Sequence, residues 1–373
     1  MAFRPSLRSI WTLITMAAIT YGLYYWAEYS RVEAKRDNYE TKLVAANRMN
    51  TALRTLVERQ EAGGDVLESY GDPRLDAIIG QQFSTITSDL GSFEEKLNGA
   101  NPNLAGAVVD LLIEAGLKQG DRVAVALSGS TPGANIAVLS ACDALGIEAF
   151  TISSLTSTWW GATDPRNTWV DMQKYLHDRN ILKGNIIAVS RGGIDDNALG
   201  MSSVGRAELS AAATRNEAKL LESSSAGQAS LMWWTKFKSA SSDKPYAAYV
   251  NVGDAVASLG HKENAELLSN GLHRRLPTRN WPGRGAMHMA SQEGVPVINL
   301  YSAAKFAHEY GLGGPRIPLS EPGNGDVFTT TRYDLRVAAT ALAISLAALF
   351  VLVWFDAKYF RLADAGVDPE TLL

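Results

Sequence analysis

The sequence predicts an α/β protein: an open, mostly parallel sheet with helices on both faces, flanked by an N-terminal and a C-terminal transmembrane helix. Three observations carry that expectation. Between residues 120 and 301, short apolar runs alternate with segments of helical periodicity, the pattern of parallel strands joined by right-handed crossovers. One stretch, Asp121 to Ala144, leads from a valine-rich run through a turn of small residues into a helix. Two uncharged apolar runs, 10–26 and 337–355, lie outside the alternation, one near each end.

The first apolar run follows Arg4 and Arg8 and ends in Tyr21, Tyr24, Tyr25 and Trp26. At ~1.5 Å rise per residue such a run crosses most of a ~30 Å hydrocarbon core, and its aromatics suit an interfacial belt. A cleaved signal peptide is the competing reading, but Tyr24-Tyr-Trp-Ala-Glu-Tyr29 offers no small-x-small cleavage site, which favours an uncleaved anchor. The second run is flanked by Arg332, Arg336, Lys358 and Arg361 and has no polar break, which favours a span over a buried core helix. Basic residues in both short tails predict cytoplasmic termini and a middle segment on the far side. The expected organisation is a tail and first span (1–27), an amphipathic stalk with connecting helices (28–100), an extracytoplasmic α/β domain (101–325), a linker and second span (326–357), and a cytoplasmic tail (358–373).

Within 28–60, the apolar positions Leu43, Ala46, Met49, Leu53, Leu56 and Val57 fit one helix face, continuing out of the membrane until Gly63 and Gly64. Asp72-Pro73 starts a short helix to 79, 83–97 reads as irregular with a turn at Gly91, and Asn101-Pro-Asn103 opens a helix closed by Gly116 and Gly120. Strands are expected at 123–127, 149–154, 186–190, 219–222, 249–252 and 295–301. Helices are expected at 134–145, 167–179, 203–215, 226–239, 255–260, 263–270 and 285–293. Residues 274–284, with Arg274, Arg275, Arg279 and Arg284, read as a basic loop, either simply solvated or guiding a polyanion. The segment 310–324, rich in Gly and Pro, returns the chain toward the membrane.

The net charge of −4 implies no general attraction to nucleic acid. Cys142 is the single cysteine, so no intramolecular disulfide can form, and it reads as a small buried hydrophobe. No metal and no cofactor is expected; Asp195 and Asp196 with Asp254 are a weak candidate for a divalent cation, solvated carboxylates being the plainer reading.

Ligands of open parallel sheets bind beyond the carboxyl ends of the strands. The residues expected there are Ser128, Gly129, Ser130 and Thr131 after the first strand, Ser154, Trp160 and Asp164 after the second, Ser190 and Arg191 after the third, and Asn251 and Asp254 after the fifth. Ordinary turn chemistry calls for many of the same residue types. In Ser128-Gly-Ser-Thr-Pro-Gly133, Thr131 is a fitting N-cap and Pro132 a fitting first helical residue. A strand, such a turn and a helix N-terminus would gather free N–H groups into a receptor for an anion. The turn is neither a nucleophile elbow nor a P-loop; it is similar to the phosphosugar-binding loop of sugar-isomerase domains over the turn and following helix alone. Ser128 or Ser130 could act as a nucleophile if His261 served as base and Asp254 or Asp164 oriented it; a solvated His261 is the plainer reading. Trp159 and Trp160 suit a stacking platform or core anchoring equally.

Several segments resemble the poly-gamma-glutamate system proteins: Ser84-Thr-Ile-Thr-Ser-Asp-Leu-Gly91, Asn101-Pro-Asn103, Gly120-Asp-Arg-Val-Ala-Val-Ala-Leu-Ser-Gly-Ser130, Trp160-Gly-Ala-Thr-Asp-Pro165, Thr168-Trp-Val-Asp171 and Val250-Asn-Val-Gly253. They span most of the middle domain. Asp254 is a departure, standing where the resemblance implies a small residue. The resemblance implies an accessory protein of poly-gamma-glutamate synthesis or export in the bacterial inner membrane, with synthase or export subunits and a polyanionic polymer or its precursor as partners. It assigns no catalytic residues.

Overall fold

The computed structural model describes residues 9–63, 68–241 and 244–364. Arg4, Arg8 and the tail from 365 onward lie outside the described residues. The chain divides into two compact units, one from its two ends (Met1–Lys35 with Thr329–Leu373) and one from its middle (Arg36–Phe328). In chain order the strands are β1 (Arg31–Lys35), β2 (Thr87–Asp89), β3 (Arg122–Ser128), β4 (Glu148–Ser154), β5 (Ser157–Thr158), β6 (Asn185–Ser190), β7 (Leu220–Leu221), β8 (Ala248–Val252), β9 (Gly271–His273), β10 (Val297–Leu300) and β11 (Thr329–Tyr333).

In the unit formed by the ends, the helix Ile10–Tyr29 leads into β1, and β11 leads into the helix Leu335–Asp364. The two strands pair antiparallel, Arg31 opposite Tyr333 and Lys35 opposite Thr329, and the two helices pack on one another. Among the described residues one helical stretch, Leu335–Lys358, is long and apolar enough to cross a membrane. The expected first span folds as a helix, but its content of Thr12, Thr15, Thr20 and four ring-bearing residues with polar atoms at 21–26 leaves it short of that standard. The expected stalk does not run on from this helix either. Pairing with β11 holds Arg31–Lys35 extended, and a new helix, Tyr39–Gly63, begins after Asn38, whose positive φ of 60° marks the turn.

The middle unit is built on a seven-stranded sheet in the order β7-β6-β4-β3-β8-β10-β9, parallel throughout except for β9, which runs antiparallel to β10 at the edge. All six expected strands are in it. A buried parallel strand must be apolar on both faces, and β3 shows how this is met. Val123, Val125 and Leu127 enter one core with the helices Tyr39–Gly63, Leu104–Glu114 and Pro132–Leu145. Ala124 and Ala126 face the other side, where their small size admits Trp233 and Phe237 of the helix Ala226–Ser241 beside Tyr249 and Met287. The helix after β3 starts with Pro132 at its first turn and stops at Gly146 in the left-handed conformation.

The strand order fixes where a ligand can bind. From β3 the chain steps one way to β4, β6 and β7, then returns and places β8, β10 and β9 on the other side. The connections leaving β3 and β8 therefore diverge to opposite faces, and a crevice opens beyond the carboxyl ends of these two strands.

Candidate functional site

β3 ends at Ser128 and β8 at Val252, so Ser128–Thr131 and Gly253–Asp254 meet at the crevice. Gly253 has φ +77°, and a Cβ there would stand 2.6 Å from Thr131 Oγ1 and 3.0 Å from Ser128 Cβ. Glycine is what allows the following residue to close on the serines. Asp254 bridges them: Ser128 Oγ donates to Oδ1 at 2.5 Å and Ser130 Oγ to Oδ2 at 3.0 Å. Each hydroxyl also accepts a backbone N–H, Ser128 Oγ from Ser130 at 3.1 Å and Ser130 Oγ from Thr158 at 3.0 Å. With donor and acceptor roles both assigned, neither hydroxyl is free to rotate.

The next side chain comes from the helix Phe93–Ala100. Lys96 is buried, and its Nζ donates to Ser130 O at 2.5 Å and Thr158 Oγ1 at 2.8 Å. Burial pushes its pKa down to about 8, with Asp254 and Glu95 pulling in the opposite direction. Glu95 accepts Ser302 Oγ at 2.5 Å and Ala304 N–H at 3.0 Å, tying this helix to the chain after β10. The cleft so formed encloses about 290 Å³ and carries Glu95, Asp254 and Glu266 against Lys96 and Lys305. Tyr301 lines it too, its phenol pushed up to about 12 by burial first and by the surrounding carboxylates next. The site is of mixed charge, suited to a small ligand that carries both an ammonium and a carboxylate.

The protein's own groups occupy part of the expected anion receptor. Gly129 N–H donates to Ser154 O at 2.8 Å, Ser130 N–H to Ser128 Oγ, and Thr131 N–H to Ser128 O at 3.2 Å. At the start of the helix, a Cβ on Gly133 would lie 2.6 Å from Gly99 O, so the end of the helix Phe93–Ala100 covers that position. The serine hydroxyls are held by the protein's own carboxylate. The N–H groups of Gly129, Ser130 and Thr131 thus have acceptors on β4 and on the turn itself, and the two serine hydroxyls have Asp254.

Of the other residues expected at the strand ends, Thr131 lines the cleft, and Asn251 lies beneath it, its Nδ2 donating to Gly253 O at 3.1 Å and Asn299 Oδ1 at 2.9 Å. Ser154 is buried behind Gly129. Trp160 stacks edge-to-face with Phe93 and Trp159 at 5.8 and 5.6 Å and does not line the cleft. Asp164 accepts Arg166 N–H at 2.9 Å in a separate cavity that Arg59 and Gln60 share. Ser190 donates to Asp196 Oδ1 at 2.7 Å, and Arg191 binds Glu222, Asn197 and Ser210, so both serve the loop after β6. Asp195 accepts Ala226 N–H and Asp196 accepts Trp233 Nε1, so neither converges on Asp254. Among the described residues no group of His, Cys, Asp and Glu is placed to hold a metal ion. His261 faces solvent with its side chain 45% exposed; its hydrogen bond is to Glu263 N–H, and it makes none to Ser128, Ser130 or Asp254.

Sequence reasoning missed Lys96, Glu95, Thr158 and Lys305, while Tyr301 stands at the end of the sixth expected strand. The signal for the first two was present. Ser92 precedes Glu94 and Glu95, and Gly99 follows, which is the punctuation of a short helix. Comparison of the chain with protein-family models, with curated proteins and with solved structures gives no match.

Proposed function

We propose that the chain is a membrane-anchored accessory protein of poly-gamma-glutamate synthesis or export, and that the cleft at Asp254 holds the end of a glutamate chain. The terminal unit of a gamma-linked chain carries an ammonium and an α-carboxylate. Asp254, Glu95 and Glu266 suit the first, Lys305 and Lys96 the second, and the mixed charge of this cleft is the observation that supports the reading. The phosphosugar-like reading needs free donors on the turn, and the N–H groups of Gly129, Ser130 and Thr131 already have acceptors. In this proposal both terminal helices enter the bacterial inner membrane. The β1–β11 pairing sets the end of Ile10–Tyr29 beside the start of Leu335–Asp364, as a two-pass anchor with Arg4, Arg8, Lys358 and Arg361 on the cytoplasmic side requires. The middle unit then lies outside the cytoplasm, where synthase or export subunits and the polymer are its partners.

Calorimetric titration of the detergent-solubilised full chain with gamma-linked oligoglutamate tests the ligand. A saturable binding step that Asp254→Asn removes is the expected result; a demonstrably folded wild-type chain whose titration does not differ from that of Asp254→Asn refutes it.

A second reading makes the cleft catalytic, a serine-dependent gamma-glutamyl hydrolase or transferase. What favours it is Ser130 Oγ donating to a carboxylate, next to a lysine whose pKa is lowered to about 8. In that case Ser130→Ala abolishes release of glutamate from the polymer, while His261→Ala leaves it unchanged. Release that persists in Ser130→Ala excludes the second reading.

A further inference from the structure

The basic loop of residues 274–284 is not simply solvated. It folds back on the helix Ala286–Gln292, Leu276 N–H donating to Ser291 Oγ at 2.9 Å, and the two enclose a cavity of about 350 Å³. Arg275, Arg279 and Arg284 line it, and none of its lining residues is acidic. In a chain of net charge −4 this is a concentrated positive site, and it shares no residue with the cleft at Asp254. Arg279 donates to Leu267 O at 3.0 Å and lies over the Trp281 ring at 5.2 Å, while Arg275 and Arg284 have no carboxylate partner among the described residues.

A second observation comes from His288, whose imidazole also lines the cavity and is 3% exposed. Its Nδ1 accepts Gly285 N–H at 3.0 Å, so in the neutral ring Nε2 carries the proton. Burial first, and Arg284 next, hold its pKa down at about 4, which keeps the ring neutral at physiological pH. Nε2 is buried and has no hydrogen-bond partner. Its nearest ring is Trp281, edge-to-face at 4.6 Å, and a ring face is a far weaker acceptor than an oxyanion. A buried N–H without an acceptor, on a residue that lines the same cavity as three arginines, calls for a negatively charged oxygen.

We propose that this cavity is a binding site for a multiply charged oxyanion, received by the guanidinium groups of Arg275, Arg279 and Arg284 and by Nε2–H of His288. Clustered carboxylates and phosphates share that chemistry, and two probes separate them: inorganic pyrophosphate and a short gamma-linked oligoglutamate. Each is titrated into the detergent-solubilised full chain by calorimetry, with Asp254→Asn as the background so that the first cleft makes no contribution. Saturable binding of either probe is expected, and the tighter one identifies the source. Arg275→Ala with Arg284→Ala is expected to weaken it by a factor of ten or more, and His288→Phe, which leaves every arginine in place, by about tenfold. A basic patch without a built site would respond to the arginines and not to His288→Phe, which overturns the proposal, as does failure of both probes to bind. If His288→Phe does not fold, the imidazole resonances of His288 in the folded chain must shift on adding the probe; unmoved resonances overturn the proposal equally.

Discussion

Replacing Lys96 by Met tests the electrostatic picture of the Asp254 cleft. Lys96 is 7% exposed, and burial holds its pKa at about 8 against an ordinary 10.5, Asp254 and Glu95 opposing. At about 1.4 kcal/mol per pKa unit, that interval corresponds to a cost to the folded state of about 3 kcal/mol wherever Lys96 is charged both folded and unfolded. Below pH 8 both states hold the proton and the cost is present in full; between 8 and 10.5 only the unfolded chain holds it; above 10.5 neither does. Stability of the wild type therefore rises with pH through this window, and Lys96→Met lacks the rise. Loss of the bonds to Ser130 O and Thr158 Oγ1 shifts the variant by a constant amount and does not alter the slope. Urea unfolding of the detergent-solubilised chain, followed by tryptophan fluorescence from pH 7 to 11, measures the difference between the two proteins. The variant's stability relative to wild type is expected to fall by about 3 kcal/mol across that range. A difference that does not change with pH refutes the desolvated ammonium, and with it the assignment of Lys96 as the cation of the cleft.

Gly133→Ala should destabilise the middle unit by about 2 kcal/mol or more, because the added Cβ meets Gly99 O at 2.6 Å and the Ala100 Cα at 2.8 Å, backbone atoms that cannot turn aside; an unchanged urea midpoint contradicts this close approach. Asp196 is fully buried, and burial raises its carboxyl from 3.8 to about 7 despite hydrogen bonds from Ser190 and Trp233, so the folded chain holds an extra proton between those pH values and loses stability as pH rises through them. Asp196→Asn removes that dependence, and its stability relative to wild type should climb by about 4 kcal/mol from pH 4 to pH 8; parallel curves contradict a neutral buried acid. Cys142 is fully buried and burial raises its thiol pKa, so a thiol reagent should label it at the rate of global unfolding, and urea below the transition should leave it unlabelled.

The sheet was legible because its strands are short apolar runs bounded by turn residues, and β3 is the plainest case: Val123 to Ser128 is buried on both faces, and its sequence shows it. β9 was not legible. Gly271-Leu-His273 is too short to carry a period of its own and is extended because β10 offers it an edge. The same cause separates β1 from the helix that follows it, since the partner Thr329–Tyr333 lies about 300 positions away and no local pattern announces it. The site was half legible. Strand ends pointed to Ser128, Ser130 and Asp254, and these three do meet; the turn's free donors were inferred from its shape, and the N–H groups of 129–131 have acceptors within the protein. A turn's sequence states which hydrogen bonds it can give and says nothing about acceptors that arrive from β4 or from the loop after β8. An N–H nest at a strand–helix turn is open only if the chain leaves it open; here β4 and the turn itself take the N–H groups of 129–131, and an acidic residue after Gly253 takes the two serine hydroxyls. Asp254 is also where this chain departs from the small residue that the resemblance implies. Asp254→Ala should therefore do more than remove a carboxylate: by freeing Ser128 Oγ and Ser130 Oγ it should create affinity for a small oxyanion at the turn, which Asp254→Asn, whose single amide oxygen still accepts one of the two hydroxyls, should do only weakly. Phosphate binding by calorimetry in the two variants decides this, and equal behaviour of the two would mean that Gly99 and β4, and not the carboxylate, keep the turn closed.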